Sequence, residues 1–299
     1  MTSYQIDDSW VILSAIESSI KHKIKSVGVP LKEWNIKIYR GVLTGLNDAF
    51  IIDTNKKNQL IDEDARSAEI IRPILRGRDI TRYGYTFANL WVICARYGSY
   101  EYIQSDYPAI YRHLSLHKNE LESRGQCRYT SSGKTNTTKP YPGQHHWLEL
   151  DNNPSKEYLD DFSKQKIVWK RIGSKIRFCY DPDGLFCLDS TCFATGTHIK
   201  YLAAVLNTYV GNFLFKDSPK TGTGDLLISV QAFDPVCVPI PSQKQEQVIT
   251  DFLDKILLCT DEKLINSLDD MLNNYVAEMY GFNEEEKAYI KSYVGKYYR

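Results

Sequence analysis

The residues of this 299-residue chain whose types and spacing could do chemistry are mostly cations. The segment KQKIVWKRIGSKIR (164–177) holds Lys164, Lys166, Lys170, Arg171, Lys175 and Arg177 and no acid. Residues 72–82 add Arg72, Arg76, Arg78 and Arg82 against Asp79 alone. Residues 123–148 contain no acid either: Arg124, Arg128, Lys134, Lys139, His145 and His146 lie among Ser, Thr, Asn, Gly and Pro, with Tyr129, Tyr141 and Trp147 interleaved. Such clusters can neutralise phosphates while Arg, Lys, Asn or Gln side chains read base edges. A charge run is more often a solvated face, and an acid-free stretch of this length also reads as a flexible loop, so composition leaves both readings open.

Other chemistries find less support. A zinc site needs Cys and His at ligand spacing, and His113 and His117 with Cys127 nearby lack a second paired element. No GxGxxG or GxxxxGK(S/T) follows a strand, although the GTG at 222–224 could offer backbone N–H groups to a phosphate. There is no G-x-S-x-G elbow. The only E-x-K, Glu285-Glu286-Lys287, lies in an acidic tail and reads as exposed helix surface. No catalytic constellation and no metal ligand set emerges.

The elements that must position these cations follow from periodicity. Trp10, Leu13, Ile16, Ile20 and Ile24 recur at helical steps and predict a helix over 8–26, capped by Asp7 or Asp8 and stopped by Gly28 and Pro30. Short strands are expected at IKIY (36–39), AFII (49–52), LWVIC (90–94), KIVW (166–169), KIRFCY (175–180) and LFCL (185–188). Asp181-Pro182-Asp183-Gly184 reads as a type I turn joining the last two as antiparallel strands. Ile199, Leu202, Ala203, Leu206, Val210 and Phe213 mark one buried helical face, followed by the basic loop KDSPKTGTG (216–224). PVCVPIP (235–241) reads as an edge strand or linker. Val248, Phe252 and Ile256, then Leu264, Leu268, Met271, Tyr275 and Met279, give two or three closing helices. The expected fold is α+β, with a mixed or antiparallel sheet: an N-terminal helix (1–30), a body (31–242) and a helical C-terminal subdomain (243–299).

Zero net charge argues at first against a nucleic-acid binder, yet it is a mean over two unlike parts. Residues 243–299 hold seven Lys and Arg against eleven Asp and Glu, a net charge of −4, which leaves residues 1–242 at +4. No run of about 18 apolar residues exists and the start, MTSYQIDDSW, carries acids, so neither a membrane span nor a secretory signal is expected. Seven cysteines without CxxC spacing fit reduced thiols in a cytoplasmic chain.

Seven separated pieces carry a resemblance. IYRGVLTGLNDAFII (38–52) resembles the opening of the TaqI-like C-terminal specificity domain, the target recognition domain of adenine-N6 DNA methyltransferases and fused type IIG restriction-modification enzymes. IRPILRGRDI (71–80) is similar to the family's "kPflrGrDI", WLEL (147–150) to its W-x-E-L, and KIVW to the lysine-led strand after it. Residues 178–186 resemble its F-x-x-D-x-x-G hairpin, YLAAVLN (201–207) its "YLlalLNS" helix and VPIP (238–241) its "lPIP" close. The tail, from Leu268-Asp269-Asp270 through Tyr280-Gly281-Phe282-Asn283, is similar to the ending of such enzymes, so the likeness runs from about Trp10 to Tyr293.

The resemblance implies double-stranded DNA as partner and sequence recognition as function. It also implies a methyltransferase or nuclease domain or subunit that binds S-adenosylmethionine and Mg²⁺, with no cofactor in this chain. The family's (N/D)PP(Y/F) motif, which engages a flipped adenine, is missing; the nearest string is Asn152-Asn153-Pro154-Ser155. On this reading Arg76, Arg78, Lys170, Arg171 and Lys175 are expected phosphate contacts. Arg124, Arg128, Tyr129, Lys134, Asn136 and Lys139, with Lys220, Thr221 and Thr223, are expected base readers or groove-entering residues. Arg78 beside Asp79 has a structural alternative, a salt bridge or turn. Two other classes stay open: a catalytic component with an unrecognised site, and a protein-interaction subunit without DNA affinity.

Overall fold

The computed structural model describes residues 14–297. The expected caps Asp7 and Asp8, and the helical positions of Trp10 and Leu13, lie outside them. Within them the first helix, α1 (Ala15–Val27), is capped by Ser14: its hydroxyl accepts from the Glu17 N–H, and the Glu17 carboxylate accepts from the Ser14 N–H at 3.0 Å.

The main elements that follow are β1 (Ile36–Arg40), β2 (Ile51–Asp53), α2 (Thr54–Glu63), β3 (Ile71–Leu75), β4 (Leu90–Ile93) and α3 (Pro108–Ser115). Then come β5 (Lys166–Lys170), β6 (Phe178–Asp181), β7 (Phe186–Cys187), β8 (Thr191–Gly196) and α4 (Ile199–Leu206). Three helices close the chain: α5 (Gln243–Leu258), α6 (Glu262–Met279) and α7 (Glu284–Tyr297).

One sheet has the order β1-β8-β5-β6, all antiparallel. The other, β2-β4-β3-β7, is antiparallel except for the parallel pair β3 and β7. Side chains alternate across a strand, and in the first sheet this alternation sorts them between two cores. Ile167, Trp169, Phe178, Tyr180, Cys192 and Ala194 pack with the helices, while Val168, Cys179 and Phe193 pack with the second sheet and α3. Burial on both faces is why KIVW reads as an unbroken apolar run. The fold is the expected α+β.

Several local expectations change. AFII does not form one strand: Asn47–Phe50 is a helical turn and only Ile51 and Ile52 enter β2. The turn at 181–184 does not close a hairpin, because β6 pairs with β5 while β7 pairs with β3 in the other sheet. Its geometry comes from the Asp181 carboxylate, which accepts from the N–H groups of Asp183, Gly184 and Leu185, with Gly184 at φ +77°. The face expected over 199–213 is split at Asn207, since Thr208 caps a second short helix, Tyr209–Phe213. Cys237–Val238 does pair at an edge, with Val29–Pro30.

The C-terminal helices are not a separate core. Ile249, Leu253, Leu272 and Ile290 join the cluster that holds Ile20, Trp169 and Leu202, so the boundary expected at 242/243 does not coincide with a break in packing. Glu286 is not exposed surface either: it is buried and accepts from Lys23 Nζ and Ser19 Oγ, both at 2.6 Å, tying α7 to α1.

Candidate nucleic-acid interface

The cations separate according to whether a carboxylate already holds them. Lys166 is fully buried, with Nζ 2.5 Å from Asp181 Oδ2 on the neighbouring strand. Arg124 is buried and makes five hydrogen bonds, to the carbonyls of Leu121, Thr44, Trp147 and Glu149 and to Asp151 Oδ1 at 3.0 Å. That corrects its expected role: Arg124 stitches the base of its loop to the body and presents no donor to a groove. Arg76 grips Asp79 with two guanidinium nitrogens, at 3.0 and 2.8 Å, so the salt bridge considered for Arg78 belongs to Arg76. Arg76 thus shares its charge with Asp79. Arg82 is held by Asp269 and the Asn207 carbonyl, Arg72 by carbonyls of residues 68, 69 and 71, and Lys164 by Asp161.

What remains is a set without carboxylate partners. Arg78, Lys170, Lys175 and Arg177 line one cavity of about 220 Å³ together with Gly77, Ile80, Gly173 and Ser174, and no acid among the described residues contributes to its wall. Among the described residues none of these four side chains makes an ion pair or hydrogen bond. Lys170 runs between two glycines: a Cβ at Gly77 would stand 3.2 Å from its Cγ, and one at Gly173 3.5 Å from its Cδ. The expected strand over 175–180 begins only at Phe178, and the irregular backbone before it exposes Lys175 and Arg177. Arg171 follows Lys170 in the chain but is not part of this lining, and among the described residues its Nε is buried and unpartnered. Four like charges around one small cavity repel one another, and an anion seated between them relieves that repulsion. Arg177 belonged to the cation run in the sequence but not to the expected contacts; the signal was the run itself.

The other expected residues occupy two neighbouring or separate surfaces. Leu226–Leu227 pairs with Ile172–Gly173, so the turn bearing Lys220, Thr221 and Thr223 projects from the strand next to the cavity. Lys220 is exposed, whereas the hydroxyls of Thr221 and Thr223 bond to each other and that of Thr223 also donates to Asp225. Arg128, Tyr129, Lys134, Asn136 and Lys139 lie on a finger over 128–142 whose base is closed by the Gln144 N–H to the Gln126 carbonyl at 2.7 Å. Tyr129 and Lys134 are exposed at its surface. Asn136 accepts from Thr138 and shapes a turn, and Lys139 donates to the Tyr97 hydroxyl at 2.7 Å. Beneath the finger Cys127 lies 3.7 Å from His145 Nδ1, and His145 Nε2 3.0 Å from Asp151. Cys127 and His145 are both buried, so the trio is a staple under the loop.

His113 bonds the Ala49 carbonyl at 2.9 Å, and burial lowers its pKa. Among the described residues no group of three or more His, Cys, Asp or Glu could hold a metal ion. Asn152 and Asn153 have φ of +65° and +48° and line a cavity with Tyr158, whose hydroxyl donates to the Arg40 carbonyl. No helix of the described residues is long and apolar enough to cross a membrane.

This α+β build, with its antiparallel sheets and C-terminal helical region, is the fold of a restriction-modification specificity domain. The chain belongs to the family of TaqI-like C-terminal specificity domains, whose model matches residues 72–228 and so takes in Arg78, Lys170, Lys175, Arg177 and the 220–224 turn. It is also similar in fold to the structure of the type IIL restriction-modification enzyme MmeI in complex with DNA, with a TM-score of 0.60 and 12% sequence identity over 90% of this chain. The chain spans 36% of that enzyme. The comparison with curated proteins gave no match.

Proposed function

We propose that this chain is the sequence-specific DNA recognition module of a restriction-modification enzyme. It directs an adenine-N6 methyltransferase, an endonuclease or both, whose chemistry another domain or subunit performs. The observation that carries the reading is the cavity of four unpaired cations, Arg78, Lys170, Lys175 and Arg177, which suits phosphate oxygens of a DNA strand. Family membership and the likeness to MmeI, solved with DNA, support it. Phosphate contacts at the cavity set position, and the exposed finger residues Arg128, Tyr129 and Lys134 with Lys220 meet base edges. S-adenosylmethionine and Mg²⁺ then belong to the catalytic partner.

Binding to duplex oligonucleotides, followed by fluorescence anisotropy from low to moderate salt, tests the reading. Replacing Lys170 and Arg171 with Gln should weaken binding across sequences and make the slope of log K against log salt shallower by about 0.9 per lost phosphate contact. An unchanged slope, or no affinity of the wild-type chain at low salt, overturns it. Incubation with plasmid, Mg²⁺ and S-adenosylmethionine exposes any activity of the chain itself.

A further inference from the structure

A second and larger cavity, of about 610 Å³, opens where the body meets the C-terminal helices. Its wall shares Lys175 and Arg177 with the cationic cavity, so those two side chains stand between both spaces. On the far side it is lined by Lys291 of α7, whose ammonium lies 5.3 Å from the centre of the Tyr209 ring and, among the described residues, has no carboxylate within ion-pairing distance. Two acids also reach this wall. Asp269 is consumed by Arg82 and the Tyr83 hydroxyl, while Asp270 is exposed. Three cations against one uncommitted carboxylate leave the cleft net positive. Asn212 and Asn266 add amide groups to it.

We propose that this cleft takes a phosphodiester of the bound DNA, so that the strand held at Lys170 continues past Lys175 and Arg177 to Lys291. This rests on the DNA-recognition reading and extends it to residues outside the matched segment 72–228. It gives the acidic C-terminal segment a place on the DNA face through one lysine, with Asp269 neutralised by Arg82 and Asp270 left at the rim. Asp270 at the rim disfavours a phosphate on its own side and confines the contact to the side of Arg177 and Lys291.

The experiment measures the salt dependence of duplex binding for the full chain and four variants. Lys291→Gln should make the slope shallower by about 0.9, the share of one phosphate contact. Lys291→Arg should retain the wild-type slope. Lys287→Gln, one turn away on the same helix and already paired with Glu284 at 2.8 Å, should leave it unchanged. The Lys170→Gln/Arg171→Gln pair reports on the underlying reading. If that pair flattens the slope and Lys291→Gln does not, the cleft lies off the DNA path and the inference fails while the DNA reading stands. If neither changes it, the DNA reading fails too. Equal losses for Lys287→Gln and Lys291→Gln show a general charge effect and overturn the site. Binding of adenosine monophosphate that is lost in Lys291→Gln, with the DNA slope intact, overturns it in favour of a free nucleotide.

Discussion

Lys166 and Asp181 face each other across adjacent strands with their charged atoms 2.5 Å apart and no exposure of either side chain to solvent. Lys166 Nζ also donates to the Phe162 carbonyl, and Asp181 holds the backbone of the turn that passes the chain from one sheet to the other. Breaking one half of a buried pair leaves an uncompensated charge, which costs about 3–5 kcal/mol. Lys166→Met should therefore lower stability by that order in urea denaturation, although the lysine belongs to the cation run at 164–177. A loss under about 1 kcal/mol would show that the pair contributes little.

Arg124→Ala should act on the fold as well. It removes donors from four carbonyls and leaves Asp151 facing only His145, so a loss of about 3–5 kcal/mol is expected. Residual DNA binding should keep the wild-type salt slope, because this guanidinium is buried among its internal partners. A flattened slope in a folded Arg124→Ala chain contradicts the placement.

His145 and His146 titrate on opposite sides of neutrality. Burial lowers the His145 pKa, but hydrogen bonds to Asp151, Cys127 and the His146 carbonyl outweigh it and raise the ring to about 9. Burial, and then the charge on His145, push His146 down to about 4. The His145 contribution to stability is complete below its unfolded value near 6.5 and is lost as pH climbs through about 9. For His146 it is complete above 6.5 and lost as pH falls through about 4. Urea midpoints against pH should show both limbs, with His145→Gln flattening the alkaline one and His146→Gln the acidic one. Limbs that persist in these variants must come from other groups.

Gly143 packs where no side chain fits: a Cβ there would lie 2.1 Å from the Gln126 carbonyl oxygen. Gly143→Ala should spring the base of the finger and raise amide exchange over 128–142, with β5 and β8 still protected. Uniform loss of protection across the chain would mean that the finger is no independent unit.

Tyr129 and Lys134 sit exposed on that finger. Replacing both with Ala should alter which sequences are preferred in a selection from random duplexes while shifting the salt slope by no more than one contact, about 0.9. An unchanged preference with intact binding assigns sequence reading to another surface.

The sequence by itself determined what depends on local pattern and composition. Short apolar pieces predicted the strands at 36–39 and 166–169, and periods of three to four residues the closing helices, because side chains that share a face of one element recur at its repeat. The separation of a positive body from a negative tail, and the ordered motifs of the family, were legible in the same way. Tertiary structure alone decided which cations are free. Arg76, Arg78, Arg124, Lys166 and Lys170 are alike in a sequence, yet Asp79, Asp151 and Asp181 consume three of them through contacts that range from one turn of chain to pairing between strands. Charge is a property of the residue, whereas its availability depends on distance and burial, which no local pattern encodes. The same reason hid Lys291: its place beside Lys175 and Arg177 is set by the packing of α7 against the short helix Tyr209–Phe213, far from them in the chain.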